Sequence, residues 1–125
     1  MKLLLDTHVL LWWLDDSELL SAGARQAIEN EKNTVYVSAV VAWEIVIKRR
    51  LGKLNFAHDL EAILTTNRFE PLSVTVSHAL AVEQLPDHHK DPFDRLLVAQ
   101  AQQEGFTLVS RDADIQRYPV SHLAA

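Results

Sequence analysis

The stretch LLLDTHVLLWWL, residues 3–14, decides the fold class. Its opening leucines are too few for an amphipathic helix and read as a short strand buried on both faces. The chain then breaks at Asp6-Thr7-His8, and the apolar run at 9–14 predicts a helix. A buried strand running straight into a helix across an acid and a hydroxyl is the opening of an α/β protein.

The alternation continues outward. A helix is predicted from Ser21 through Ala24, Ala27 and Ile28, a strand at 34–37, and a helix at 39–50 with Ser38 as N-cap and Gly52 just past its end. Leu60, Ile63 and Leu64 mark a further helix, residues 69–74 a strand crossing Pro71, and 77–85 a helix closed by Pro86. Asp91-Pro92-Phe93-Asp94 supplies an N-cap, a proline at N1 and an acid at N3, opening a helix that runs to Gly105. Strands follow at 107–110 and 120–123. Short apolar strands separated by helices specify a central parallel sheet with helices on both faces, a three-layer sandwich. With no repeat, low-complexity tract or Gly/Ser/Pro-rich linker, residues 1–125 read as a single domain.

Composition narrows the chemistry. A chain of 125 residues with 48% apolar content can bury one core. The absence of cysteine excludes disulfides, thiolate catalysis, zinc ribbons and Fe–S clusters. The longest apolar run, 9–14, is far shorter than the ~20 residues of a membrane span, so the expectation is a soluble, unprocessed, cytoplasmic protein with no membrane association. Twelve Lys and Arg against seventeen Asp and Glu leave a formal charge of −5, which argues against a generic nucleic-acid clamp.

In open parallel sheets ligands bind at the carboxyl ends of strands, and Asp6 and Asp112 stand at two such ends. Each acid has a purely structural reading as well. Asp6 fits an N-cap, Asp91 and Asp94 fit a cap and a dipole-facing acid, and Asp112 and Asp114 fit a turn. Glu44 is the sole acid in the 39–50 helix, which is apolar nearly all round and expected to be buried. There it needs a cation or metal, or else an i,i+4 ion pair with Lys48. Taken as a set, acids after the first strand, inside a buried helix, in the first turn of a late helix and after the next strand suit a hard divalent ion whose shell a phosphodiester completes.

Four segments, LLLDTHVLLWWL (3–14), SAVVAWEIVIKRRLGKL (38–54), HHKDPFDRLLVAQA (88–101) and LVSRDADIQRYP (108–119), together resemble a PIN domain of the kind found in VapC-type toxin ribonucleases of bacterial toxin–antitoxin pairs. The resemblance implies the PIN-like sandwich and an acidic pocket at its carboxyl edge. It places the family's four acids, catalytic and metal-binding, on Asp6, Glu44, Asp94 and Asp112, with Asp91 able to assist and Asp114 competing with Asp112. Thr7 and Ser110, hydroxyls beside the strand-end acids, are secondary candidates for orienting the carboxylates. It further implies Mg²⁺, with Mn²⁺ possible, hydrolysis of RNA to 5′-phosphate and 3′-hydroxyl ends, a homodimer, and a small cognate antitoxin.

The basic cluster Lys48, Arg49, Arg50 and Lys53 fits an RNA backbone, or equally a solvated helix end. Arg95 reads as the partner of Asp94 in a structural ion pair. Adjacent His88 and His89 cannot form a spaced zinc pair and read as exposed loop. Trp12, Trp13 and Trp43 read as core or partner contact. Two rivals to the toxin remain: a solitary PIN-type RNA-processing nuclease, and a receiver-like Mg²⁺-binding signalling domain. The latter needs a mid-chain strand-end Asp, where this chain has the basic segment 48–56.

Overall fold

The computed structural model describes residues 1–125. Strands β1 (Lys2–Leu5), β2 (Thr34–Ser38), β3 (Glu70–Leu72), β4 (Thr107–Ser110) and β5 (His122–Ala124) form one sheet in the order β3-β2-β1-β4-β5, parallel throughout. Leu3, Leu4 and Leu5 of the central strand are fully buried. Because successive strand residues point to opposite faces, both faces of the sheet are covered there. The covering helices are α1 (Thr7–Leu14), α2 (Ala22–Glu29), α3 (Ala39–Arg50), α4 (Leu60–Thr66), α5 (Val76–Ala81), α6 (Pro92–Glu104) and α7 (Ala113–Gln116). One continuous apolar cluster includes both Leu3 and Ala125, so the chain closes around a single core.

The strand order locates the crevice. From β1 the chain moves to β2 and β3 on one side, then crosses back to β4 and β5 on the other. β1 and β4 are therefore neighbours whose connections leave in opposite directions, and their carboxyl ends mark the switch point at which open parallel sheets bind ligands. The Asp6 N–H donates to Val109 O, tying the two strand ends together at that point.

Helix starts bring side chains to this edge. Asp6 Oδ1 accepts from Val9 N (2.8 Å) to start α1, and Ser38 Oγ accepts from Val40 N to start α3. Asp91 Oδ1 accepts from Phe93 and Asp94 N at the head of α6, with Pro92 next to it where its missing N–H costs nothing. Asp112 Oδ1 does the same for α7 through Asp114 and Ile115 N. The cap roles foreseen for Asp6 and Asp91 are thus made, while Asp112, expected in a turn, instead caps the short helix α7 that the sequence reading did not foresee.

Some elements differ from their sequence signals. α3 is not buried all round: Val40, Val41, Glu44 and Ile45 face inward, while Trp43 is 59% exposed and Val46 is also open to solvent. The strand expected at 69–74 shortens to Glu70–Leu72 at the sheet edge, where Pro71 needs no donor on its outer side. The helix expected at 77–85 is α5 followed by a 3₁₀ turn at Val82–Gln84, since Pro86 forbids a longer run. The last strand is His122–Ala124 rather than 120–123.

Candidate active site

At the end of β1, Asp6 is buried. Burial raises its pKa, opposed by a hydrogen bond from Ser110 and by the Val9 N–H. Ser110, fully buried at the end of β4, also accepts from Asp112 N (3.0 Å). One hydroxyl therefore links the acids that follow two neighbouring strands.

Glu44 projects from the inward face of α3 and is only 3% exposed. Thr7 Oγ1 donates to its Oε1, and Lys48 Nζ donates to its Oε2 at 2.6 Å. The i,i+4 ion pair and the buried setting thus coincide, and each carboxylate oxygen keeps a second lone pair. Lys48 is pulled above its ordinary pKa, first by the bond to Glu44 and further by the charges of Asp91 and Asp94. It belongs to the acidic crevice rather than to a free basic patch.

Asp94, one turn into α6, is a strongly perturbed acid. Burial, then the charge of Asp91, and more weakly those of Asp6 and Glu44, push it up to about 7, with His89 acting in the opposite sense. Asp112 lies across from it. Burial alone would raise Asp112, but hydrogen bonds from His89 and the Asp114 and Ile115 N–H groups outweigh that and hold it below the usual carboxylate range.

His89 joins the two acids. Its Nε2 lies 2.8 Å from Asp112 Oδ2 and 3.2 Å from Asp94 Oδ2, while its Nδ1 accepts from Asp91 N at 3.0 Å. Burial lowers the imidazole's pKa, and Asp112, Asp94 and Asp91 together raise it above the ordinary value. With Nδ1 accepting the Asp91 N–H, Nε2 is the nitrogen that presents its proton to the acids.

The structure therefore brings together Asp6, Glu44, Asp91, Asp94 and Asp112, with Thr7, Ser110 and Lys48 bonded among them. Asp114 has its side chain 54% exposed, 3.8 Å from Arg117, although one carboxylate oxygen comes within 4.8 Å of the His89 and Asp112 donor atoms. Arg49, Arg50 and Lys53 are all exposed, and Arg49 also donates to Phe56 O. Arg95 does not pair with Asp94. It donates to Pro86 O, Val82 O and Tyr118 Oη, bracing the loop from below. The exposed-loop reading of His89 is overturned as well, since its side chain is only 14% exposed, hydrogen-bonded to Asp112 and 3.2 Å from Asp94. The one local hint was its place two residues before an N-cap. A cleft of about 520 Å³ at the amino end of the sheet, lined by Asn33, Asn67 and Arg68 among others, contains none of the five acids.

Residues 3–120 match the model of the PIN domain. The chain belongs to the PIN-domain family. This PIN domain is 30% identical over 118 residues to Ribonuclease VapC22 of Mycobacterium tuberculosis, covering 92% of this chain and 90% of that one. Among solved structures it resembles VapBC2 from Rickettsia felis bound to a DNA fragment from its promoter, with a TM-score of 0.71, 17% identity and coverage of 100% and 99%. The DNA-bound VapBC from Salmonella typhimurium follows at TM-score 0.70, 16% identity and coverage of 99% and 98%. The sequence resemblance to the VapC type of PIN domain holds along the chain. The donor set is also that of a hard divalent ion: carboxylate and hydroxyl oxygens, no thiolate, and a surplus of negative charge that a single lysine does not balance.

Proposed function

We propose that this PIN domain is a metal-dependent endoribonuclease, acting in the cytoplasm as the toxin of a toxin–antitoxin pair. The observation that carries the reading is Asp94, held at about 7 by burial and by Asp91, Asp6 and Glu44. A crevice that resists ionisation of its own acid is one whose charge a cation completes. The ribonuclease named among its relatives supplies RNA as the substrate.

Asp6, Asp94 and Asp112 would hold Mg²⁺ or Mn²⁺, with Glu44 beside them. Bound there, the ion supplies Lewis acidity for in-line displacement at a phosphodiester. The chain's own residues prepare that arrangement. Ser110 orients Asp6 and Asp112 through one hydroxyl, and Thr7 and Lys48 fix Glu44. Lys48 keeps its ammonium group in the crevice, within the field of Asp91 and Asp94. Arg50 and Lys53, exposed at the end of α3, offer charge to the RNA backbone. No side chain acts as a covalent nucleophile, in keeping with a chain that has no Cys and no Gly-x-Ser-x-Gly elbow. Exposed Trp43 and Val46 of α3 provide apolar surface for a second copy or a small antitoxin.

The test is incubation of purified protein with structured RNAs, followed by end analysis. Cleavage in Mg²⁺ or Mn²⁺ that leaves 5′-phosphate and 3′-hydroxyl ends and stops in EDTA is expected, together with growth arrest on expression. Intact RNA under all metal conditions would refute the nuclease reading. Cleavage without growth arrest would remove the toxin role and leave a solitary RNA-processing enzyme.

A further inference from the structure

We infer that His8, Trp12 and Arg111 form a stacking platform beside the acidic crevice, on which one nucleobase of the RNA lies next to the scissile phosphate. This role rests on the nuclease reading of the crevice and gives the substrate a second point of attachment. His8 and Trp12 are four residues apart on one face of α1, with ring centroids 5.9 Å apart and planes inclined by 31°. The Arg111 guanidinium lies over the Trp12 indole, 4.5 Å from its centroid. The three planar groups come from two segments, α1 and the turn after β4, and each segment is joined to an acid of the crevice. His8 stands two residues after Asp6, and Arg111 immediately precedes Asp112.

The platform is rigid behind and open in front. His8 and Arg111 are exposed, while Trp12 is half-buried and packs against the core. The neighbouring Trp13 shows what a structural tryptophan does in this helix: its Nε1 donates to Asn67 Oδ1 at 3.1 Å and its ring meets Phe69. Trp12 instead offers its ring to His8 and Arg111. Arg111 is tethered at one edge, where Nη2 donates to Ala125 O at 3.0 Å, so its plane is held over the indole. A guanidinium on an indole, with an imidazole alongside, is a surface on which an unpaired base stacks whatever its identity. Arg111 also brings a cation to the β4 side of a crevice whose other cation, Lys48, comes from α3.

Steady-state cleavage in Mn²⁺ tests this on the full chain, with a short RNA spanning a mapped cleavage site and the same RNA made abasic at each nucleotide flanking that site in turn. With the parent, loss of the base at one flanking position is expected to raise KM about tenfold, the scale of one base stacked on an aromatic side chain, with kcat little changed. Arg111→Ala and His8→Ala should each raise KM on intact RNA and add little on the RNA that lacks that base, because both changes remove the same contact. His8→Phe and Trp12→Phe, which keep a ring, should stay near the parent, whereas Arg111→Lys, which keeps the charge without the plane, should behave like Arg111→Ala. Folded Arg111→Ala and His8→Ala with the parent's KM would overturn the platform while leaving the nuclease intact. So would penalties that add in full to that of the missing base, or full rescue by Arg111→Lys, which would mark a phosphate contact. If the parent cleaves no RNA, the nuclease reading fails and the platform falls with it.

Discussion

Near neutral pH the Asp94 carboxyl is close to half-ionised, because burial and then the charge of Asp91 oppose its negative form while His89 favours it. In the unfolded chain the same group ionises near pH 4. The folded protein thus holds a proton that the unfolded chain has lost, and its stability falls as pH rises from about 4 to 7. The full effect is up to about 4 kcal/mol in the metal-free protein. Thermal unfolding in EDTA should give a lower melting temperature at pH 8 than at pH 5, with Mn²⁺ restoring it at pH 8 and Asp94→Asn flattening the slope. Lys48→Ala has a different signature. It leaves Glu44 buried with one oxygen stripped of its donor, and urea unfolding should show a loss of about 2 to 3 kcal/mol. Both readings of Glu44 were legible in the sequence, and the structure realises the ion pair and the crevice position together. His89 was not legible, because its acidic partner Asp112 lies 23 residues away and only the fold brings them into contact.

The head of α6 separates two roles that the sequence could only superpose. Asp91 caps the helix through Oδ1, and its charge also reaches Asp94 and Lys48. Asp91→Ala should cost about 1 kcal/mol of stability, while Asp91→Ser keeps the cap. If Asp91 serves chiefly as a cap, the serine variant retains both stability and RNA cleavage; cleavage lost in a fully stable serine variant would make it part of the metal set. At the other end of α6, Gly105 has φ 71°, a left-handed conformation that favours glycine. Gly105→Ala should lower stability by about 1 kcal/mol in denaturant titration, although nothing crowds the added Cβ. Caps and breakers such as Ser38, Asp91-Pro92 and Gly105 were readable because they act within one turn of the chain. The outward Trp43 face of α3 was not, since an apolar residue carries the same local signal whether it meets the core or solvent.

Across the whole molecule, sequence alternation specified a parallel α/β sheet but not the order β3-β2-β1-β4-β5, which depends on which strands finally pair. That order sets Asp6 beside Ser110 and Asp112, and places α3 and α6 so that Glu44 and Asp94 enter the same crevice. It also changes the meaning of the formal charge of −5, since Asp6, Glu44, Asp94 and Asp112 account for four of those net negative charges. The acidity is concentrated at one site, and affinity for RNA should depend on bound metal there, with metal-free binding weak. The most direct test of the central claim is the Mn²⁺-dependent cleavage rate of a structured RNA by the parent and by folded Asp94→Asn, measured side by side. The account predicts metal-dependent cleavage by the parent and a loss of about a hundredfold or more in the variant. Cleavage by Asp94→Asn at the parent's rate, or parent cleavage indifferent to EDTA, would contradict it.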